Sequence, residues 1–251
     1  MKYSRSYQFS AASAMLPEEV LEEIAAEVMN YHGSGRSVLE MAPDSPAARQ
    51  ITEQALSDLR KLLALPDSHA LLFLRDRAAA AALPGVRDCS ARFLAAPLEL
   101  EAPLFADLRC SVGPDGVTAV ILPGEQAAGL TADAPACWPV YCCGKVFRYL
   151  LKRGGLDAAR AQARENAALL RDFLRKSRYF SLTEEACADQ LVAFTAPSAA
   201  ENEAVLNAAR AAHLVDLEGP DCLRAALGVT LPRESAEALT DFLRKYEAAR
   251  K

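Results

Sequence analysis

Cys110 is the residue of this chain whose position most invites a chemical role. It lies in LFADLRCSVGPDGVTAVIL, Leu104 to Leu122, between two apolar, partly β-branched runs, and Gly113-Pro114-Asp115-Gly116 behind it is strong turn punctuation. Such a hairpin would hold Arg109-Cys110-Ser111 on the lip of a sheet, where α/β enzymes keep their reactive groups. One reading makes Cys110 a nucleophile whose pKa is lowered by Arg109. That chemistry needs a base, and no histidine lies between His69 and His213.

The other titratable side chains narrow the choice. Cys89, Cys137, Cys142, Cys143, Cys187 and Cys222 form no CxxC pair, and His32, His69 and His213 show no ligand spacing near any of them. No metal site is expected. An odd count of seven cysteines is poor material for a disulfide framework, so reduced, buried thiols are expected. Arg75 and Arg77 follow an apolar strand and would attract a phosphate, or would simply form a solvated charge cluster with Asp76.

Helices and strands in alternation must position these groups. Pro17-Glu18-Glu19 opens a first helix carrying Val20, Ile24, Ala25 and Val28 at helical spacing, and His32-Gly33-Ser34-Gly35 stops it. Ser45-Pro46 opens a second, Ala47–Leu63, with Ile51, Ala55, Leu59 and Leu62 on one face. A strand follows at Ala70–Leu74, then an alanine-rich helix ended by Pro84-Gly85, and a strand at Arg92–Leu98 in an irregular stretch. Beyond the hairpin, Trp138–Leu151 reads as a mostly apolar helix and Leu156–Lys176 as a long amphipathic one. The rest alternates: strand Gln190–Thr195, helix Ala200–Ala212, strand Leu223–Thr230, helix Ser235–Ala249, the pattern of an α/β fold.

Composition excludes whole classes of function. The chain has 251 residues, 51% of them hydrophobic and 24% charged, enough for one large and one small domain. A net charge of −5 argues against nucleic acid as a partner, since phosphate binding needs a concentrated basic surface. No apolar run reaches membrane-spanning length, so no membrane partner is expected. The opening MKYSRSYQFS lacks the apolar core of a signal peptide, which gives a cytoplasmic expectation.

Several segments together resemble the phosphoserine aminotransferase family. QFSAASAMLPEEVLEE resembles that family's FSAGPAMLPEEVL, and HGSGRSVLEMAPDS its GSGMSVMEMSHRS. LRKLLALPDSHALLFL is similar to the helix-to-strand run before the family's paired glycines, and VGPDGVTAVI to GPAGLTVVI. RGGLDAARAQARENAALLRDFL and SAEALTDFLRKYE are similar to the C-terminal half. The resemblance implies an α/β fold-type I aminotransferase architecture: a large domain with a mixed sheet, a small C-terminal α/β domain, and a dimer that binds pyridoxal phosphate. With the shortening described next, the expectation is residues 1–151 as a truncated large domain with a reduced sheet, and residues 152–251 as the small domain.

The departures fall on the family's chemistry. Its cofactor lysine precedes the GPAG that Gly113-Pro114 resembles, which puts Cys110 at the lysine position. A thiol cannot form the imine or move a proton as an amine does. The glycines that would cradle the cofactor phosphate are replaced by Arg75-Asp76-Arg77. A substrate-reading His-Arg becomes Pro43-Asp44, the later GHRSVGG becomes Asp216 to Cys222, and NTPP becomes Asp133-Ala134-Pro135-Ala136. Only Arg224, the counterpart of a carboxylate-binding arginine, keeps its type. Between Arg77 and Cys110 stand 32 residues, where the family carries most of its central sheet. Trp138 is expected as a core anchor rather than a ring stack.

What these departures imply is a non-catalytic interaction or regulatory homologue with no catalytic residue, no bound cofactor and Arg224 as the one candidate substrate contact. It would pair with itself or with a full-length aminotransferase. The alternative is a phosphoserine transaminase with an altered site, moving an amino group between phosphoserine and 2-oxoglutarate in serine biosynthesis.

Overall fold

The computed structural model describes residues 5–124, 134–183 and 189–250; Asp133 and Cys187 lie outside them. In chain order the elements are β1 (Tyr7–Gln8), α1 (Glu18–Glu27), α2 (Pro46–Leu62), β2 (His69–Leu74), α3 (Arg77–Ala81), β3 (Arg87–Asp88), β4 (Leu104–Asp107) and β5 (Thr118–Pro123). Then come α4 (Cys137–Lys152), α5 (Gly155–Lys176), β6 (Ser181–Leu182), β7 (Leu191–Thr195), α6 (Ala199–Ala211), β8 (Leu214–Val215), β9 (Leu223–Ala226) and α7 (Arg233–Ala248). The fold is α/β, as expected.

Two compact units result: Leu16–Ala159, and Met1–Met15 with Arg160–Lys251. The partition differs from the division expected at residue 151 because the start of the chain belongs to the second unit. There β1 pairs in parallel with β8, Tyr7 against Leu214 and Gln8 against Val215. Phe9 N–H then donates to Val215 O at 3.0 Å, and Ala226 N–H donates to Phe9 O at 2.9 Å. Phe9 is fully buried, so it ties the N-terminal segment to that unit's core.

The first unit holds a mixed four-stranded sheet in the order β2-β5-β4-β3. β2, β5 and β4 are antiparallel neighbours, and β3 runs parallel to β4. β4 and β5 are the hairpin expected from the turn residues, with Leu104 opposite Ile121 and Asp107 opposite Thr118. The expected strand at Arg92–Leu98 does not form. Ala96 N–H donates to Arg92 O at 3.0 Å, so the segment turns, and it buries Phe93 and Leu94 as plugs rather than as a ladder.

Against the sheet and the helices α1 and α2 lies α4, whose Val140, Cys143, Val146 and Phe147 are all fully buried. Burying each such side chain contributes roughly 1.5–3 kcal/mol relative to exposure for the larger ones. A side chain at Gly144 would lie 3.2 Å from the Ala55 Cβ, so the small pair lets α2 and α4 approach closely. Trp138 is half-buried and stacks on Tyr141 with ring centroids 6.1 Å apart, a packing role as expected. Ser45 caps α2 by accepting from Ala48 N–H at 3.3 Å, with Pro46 at the first position.

The second unit packs α5, α6 and α7 on an antiparallel sheet β6-β7-β9 around Phe180, Phe194, Leu170 and Leu243. Buried Asn202 replaces missing ladder contacts: its Oδ1 accepts from Ala196 N–H at 2.7 Å, and its Nδ2 donates to Pro220 O at 2.7 Å.

Gly113→Ala is expected to destabilise the chain by about 1–3 kcal/mol. Its new Cβ would stand 2.8 Å from Cys143 Sγ, and Cys143→Ala in the same chain should restore most of the loss. Urea unfolding of the two single variants and the double variant measures both effects.

Candidate functional site

Cys110 ends the short turn Leu108–Cys110 that follows β4. Asp107 starts that turn, its Oδ1 accepting from Arg109 N–H at 3.0 Å. The Asp107 N–H donates to Ser90 Oγ at 2.8 Å, Ser90 Oγ donates to Asp88 Oδ1 at 2.6 Å, and Asp88 pairs with Arg77. The residues around the thiol are therefore tied to one another. Burial and then the Asp107 carboxylate push the Cys110 thiol above its ordinary 9.0, and the opposing pull of Arg109 does not reverse this. The thiolate that Arg109 was expected to favour is disfavoured, because the guanidinium also faces Asp115 at 4.0 Å and two carboxylates act on the sulfur.

Arg75, Asp76 and Arg77 are exposed. Asp76 caps the five-residue α3, its Oδ1 accepting from Ala79 N–H at 2.7 Å. Arg77 is committed to Asp88, and burial of Asp88 is outweighed by its hydrogen bonds from Ser90 and by Arg77, which hold its carboxyl below the ordinary range. Arg77 is therefore an engaged cation, while Arg75 is exposed to solvent.

Arg224 belongs to the second unit, on β9 opposite Ala193 of β7. Its backbone N–H donates to Glu218 O at 2.9 Å and its carbonyl accepts from Glu218 N–H at 3.0 Å. It lies half-buried at the edge of the loop Asp216 to Cys222. Cys110 and Arg224 thus sit on different units. Among the described residues no cluster of His, Cys, Asp and Glu could hold a metal ion, and no helix is long and apolar enough to cross a membrane.

A second polar centre was not legible in the sequence. Lys145, on the mostly apolar α4, is only 8% exposed. Its Nζ lies 2.9 Å from Glu27 Oε2 and 3.5 Å from Glu23 Oε2, and 5.3 Å from the centre of the Tyr141 ring. Tyr141 donates its hydroxyl to the same Glu27 oxygen at 2.8 Å. Burial favours the neutral acid, but the bonds from Lys145 and Tyr141 outweigh it and hold the Glu27 carboxyl below its ordinary 4.5. Burial and Glu27 together push the Tyr141 phenol far up, so it stays a donor. The only signal in the sequence was a lone lysine inside an apolar helix.

Comparison with known proteins places this geometry. The family profile for aminotransferase class-V matches residues 6–86. The chain is 25% identical over 362 aligned positions to a phosphoserine aminotransferase of Ralstonia nicotianae, covering 97% of this chain and 96% of the relative. A Burkholderia ambifaria phosphoserine aminotransferase is 26% identical over 355 positions, covering 97% and 99%. Along nearly its whole length the chain is similar to phosphoserine aminotransferases, and its first third matches the class-V aminotransferase profile. The fold follows the same family. The phosphoserine aminotransferase from Bacillus circulans superimposes with a TM-score of 0.89 at 20% identity, covering 99% of this chain and all of that one. A pyridoxal-phosphate-bound phosphoserine aminotransferase from Trichomonas vaginalis gives 0.80 at 19% identity, covering 96% of this chain. The alignments run over 362 and 355 positions although this chain has 251 residues, so about a hundred positions of a phosphoserine aminotransferase have no counterpart here.

Two outcomes follow from the electrostatics. Iodoacetamide at neutral pH is expected not to single out Cys110, with labelling rising only as pH passes the ordinary thiol value of 9.0, as peptide mapping would read. Lys145→Met is expected to cost about 3 kcal/mol in urea unfolding, because it leaves Glu27 half-buried without its cation. The depressed Glu27 carboxyl makes this contribution present above its ordinary 4.5 and lost as pH falls through the folded value, so the difference between the two proteins should shrink in acid.

Proposed function

We propose that this chain is a non-catalytic member of its family, an interaction or regulatory homologue that works as a homodimer or paired with a full-length aminotransferase in the cytoplasm. The reading rests most on Asp76. Pyridoxal phosphate needs an amine for its aldehyde and free backbone N–H groups for its phosphate. The helix after β2 opens on a carboxylate already bonded to Ala79 N–H at 2.7 Å, where a phosphate would meet negative charge. The position that the family resemblance equates with the lysine carries Cys110, a thiol that burial keeps protonated. These residues do not fit the coenzyme.

The retained features are those that serve folding: capped helices, the hairpin, and the glycine contact between α2 and α4. The lost features serve charge recognition and covalent chemistry. Selection for a folded partner surface accounts for that division. Arg224 remains the candidate carboxylate contact if one persists from the ancestor.

Mixing purified protein with pyridoxal phosphate is expected to give no imine absorbance and no borohydride-fixed adduct, while light scattering reports a dimer or a complex with a full-length aminotransferase. An imine band, or glutamate-dependent turnover of phosphohydroxypyruvate, would return the chain to the transaminases. Cys110→Lys alone is expected to restore neither, because Asp76 still holds the helix start.

A further inference from the structure

A cavity of about 140 Å³ opens between the end of α1, α2 and α4, beside the Lys145 centre. Its floor is apolar, formed by Ile51, Ala55 and Gly144. Its wall carries Glu27, Tyr31 and Arg148. On α4, Cys143 faces Gly113 of the hairpin turn, whereas Gly144 meets Ala55 and Lys145 meets Glu27, so this cavity opens on a different face of the helix from Cys143.

Three polar groups of the wall keep unused capacity. All the described contacts of Glu27 fall on Oε2: Tyr141 at 2.8 Å, Lys145 at 2.9 Å and His32 Nε2 at 3.7 Å. Its Oε1 takes none among the described residues. The Tyr31 hydroxyl makes no hydrogen bond among them either, although its ring is fixed by stacking on His32 at 4.2 Å and an edge contact with Tyr141 at 5.9 Å. Arg148 faces Asp58 through Nε at 3.6 Å, and its terminal nitrogens make no hydrogen bond among the described residues.

The charges of the wall are balanced in place. Lys145 is matched by Glu27 and Glu23, and Arg148 by Asp58. A ligand with net charge entering this site would meet no uncompensated opposite charge and would pay its desolvation unrelieved. A ligand with one positive and one negative end meets an open acceptor at Glu27 and open donors at Arg148. We propose that the cavity binds a free α-amino acid: its ammonium donates to Glu27 Oε1 and the Tyr31 oxygen, Arg148 donates to its carboxylate, and its side chain lies over Ile51 and Ala55. The volume is close to the ~150 Å³ that holds a benzene-sized guest, so about six to eight non-hydrogen atoms fit inside the wall. The buried pair of Lys145 and Glu27 sets where the acceptor points. This site stands whether or not the chain handles pyridoxal phosphate.

Calorimetric titration of the full chain with each standard α-amino acid in turn tests the proposal. Saturable binding of at least one is expected, and the matched amine and carboxylic acid lacking either charge should bind at least about tenfold more weakly, the size of one charge-assisted hydrogen bond. Arg148→Gln should weaken binding about tenfold and Tyr31→Phe about threefold, each with an unchanged far-ultraviolet circular dichroism spectrum. The proposal is overturned if no amino acid binds up to about 10 mM, where a site with Kd of about 1 mM would fill. It is equally overturned if the singly charged analogues bind as tightly, or if a normally folded Arg148→Gln binds unchanged.

Discussion

A helix that is apolar on nearly every side must be wrapped, and α4 imposes that demand on the whole first unit. Ten of its residues are buried, from Cys137 to Leu150. The hairpin covers it at Gly113 and Gly116, α2 at Gly144 through Ala55, and α1 through the Glu27 and Glu23 carboxylates on Lys145. Glycine is needed where backbone and helix meet most closely; elsewhere, flexible side chains fill the gaps. The remaining elements of the unit take their places around this helix. The shortened sheet keeps only enough strands to cover it.

The single buried charge on that helix is consistent with the same demand. Lys145 stays buried because carboxylates and a phenol are held around it, and removing Glu27 takes the nearest partner from both Lys145 and Tyr141. Such a centre specifies the approach of α1 more sharply than apolar contact would, and it stiffens the wall beside the cavity. Around Cys110 the polar chain from Arg77 through Asp88 and Ser90 to Asp107 is likewise closed on itself. The two centres differ in what remains open. Between Arg77 and Asp107 the groups are used up among themselves, whereas beside Lys145 an oxygen, a phenol and a guanidinium keep capacity.

Local signals made most elements legible. The stripe Ile51, Ala55, Leu59 and Leu62 is the buried face of α2, and the Gly-Pro-Asp-Gly turn joins β4 to β5 as the punctuation implied. Arg92–Leu98 misled because Phe93 and Leu94 are apolar for plugging a turn, which alternation cannot distinguish from a strand. Leu223–Thr230 was read too long, since only Leu223–Ala226 have a ladder partner in β7. The pairing of β1 with β8 and the Lys145 centre were invisible for one reason: each joins residues remote in the chain, and no local periodicity encodes the partner. The electrostatic state of Cys110 failed differently. Its neighbour in sequence is a cation, but its neighbours in space include Asp107 and Asp88.

The sheet of the first unit ends on β3. The outermost strand is two residues long and exposed, and both its side chains are engaged, Arg87 with Glu99 and Asp88 with Arg77. A border so short and so charged gives a stray strand from another molecule little to template on. That side of the sheet is therefore no sticky seam: two ion pairs close it.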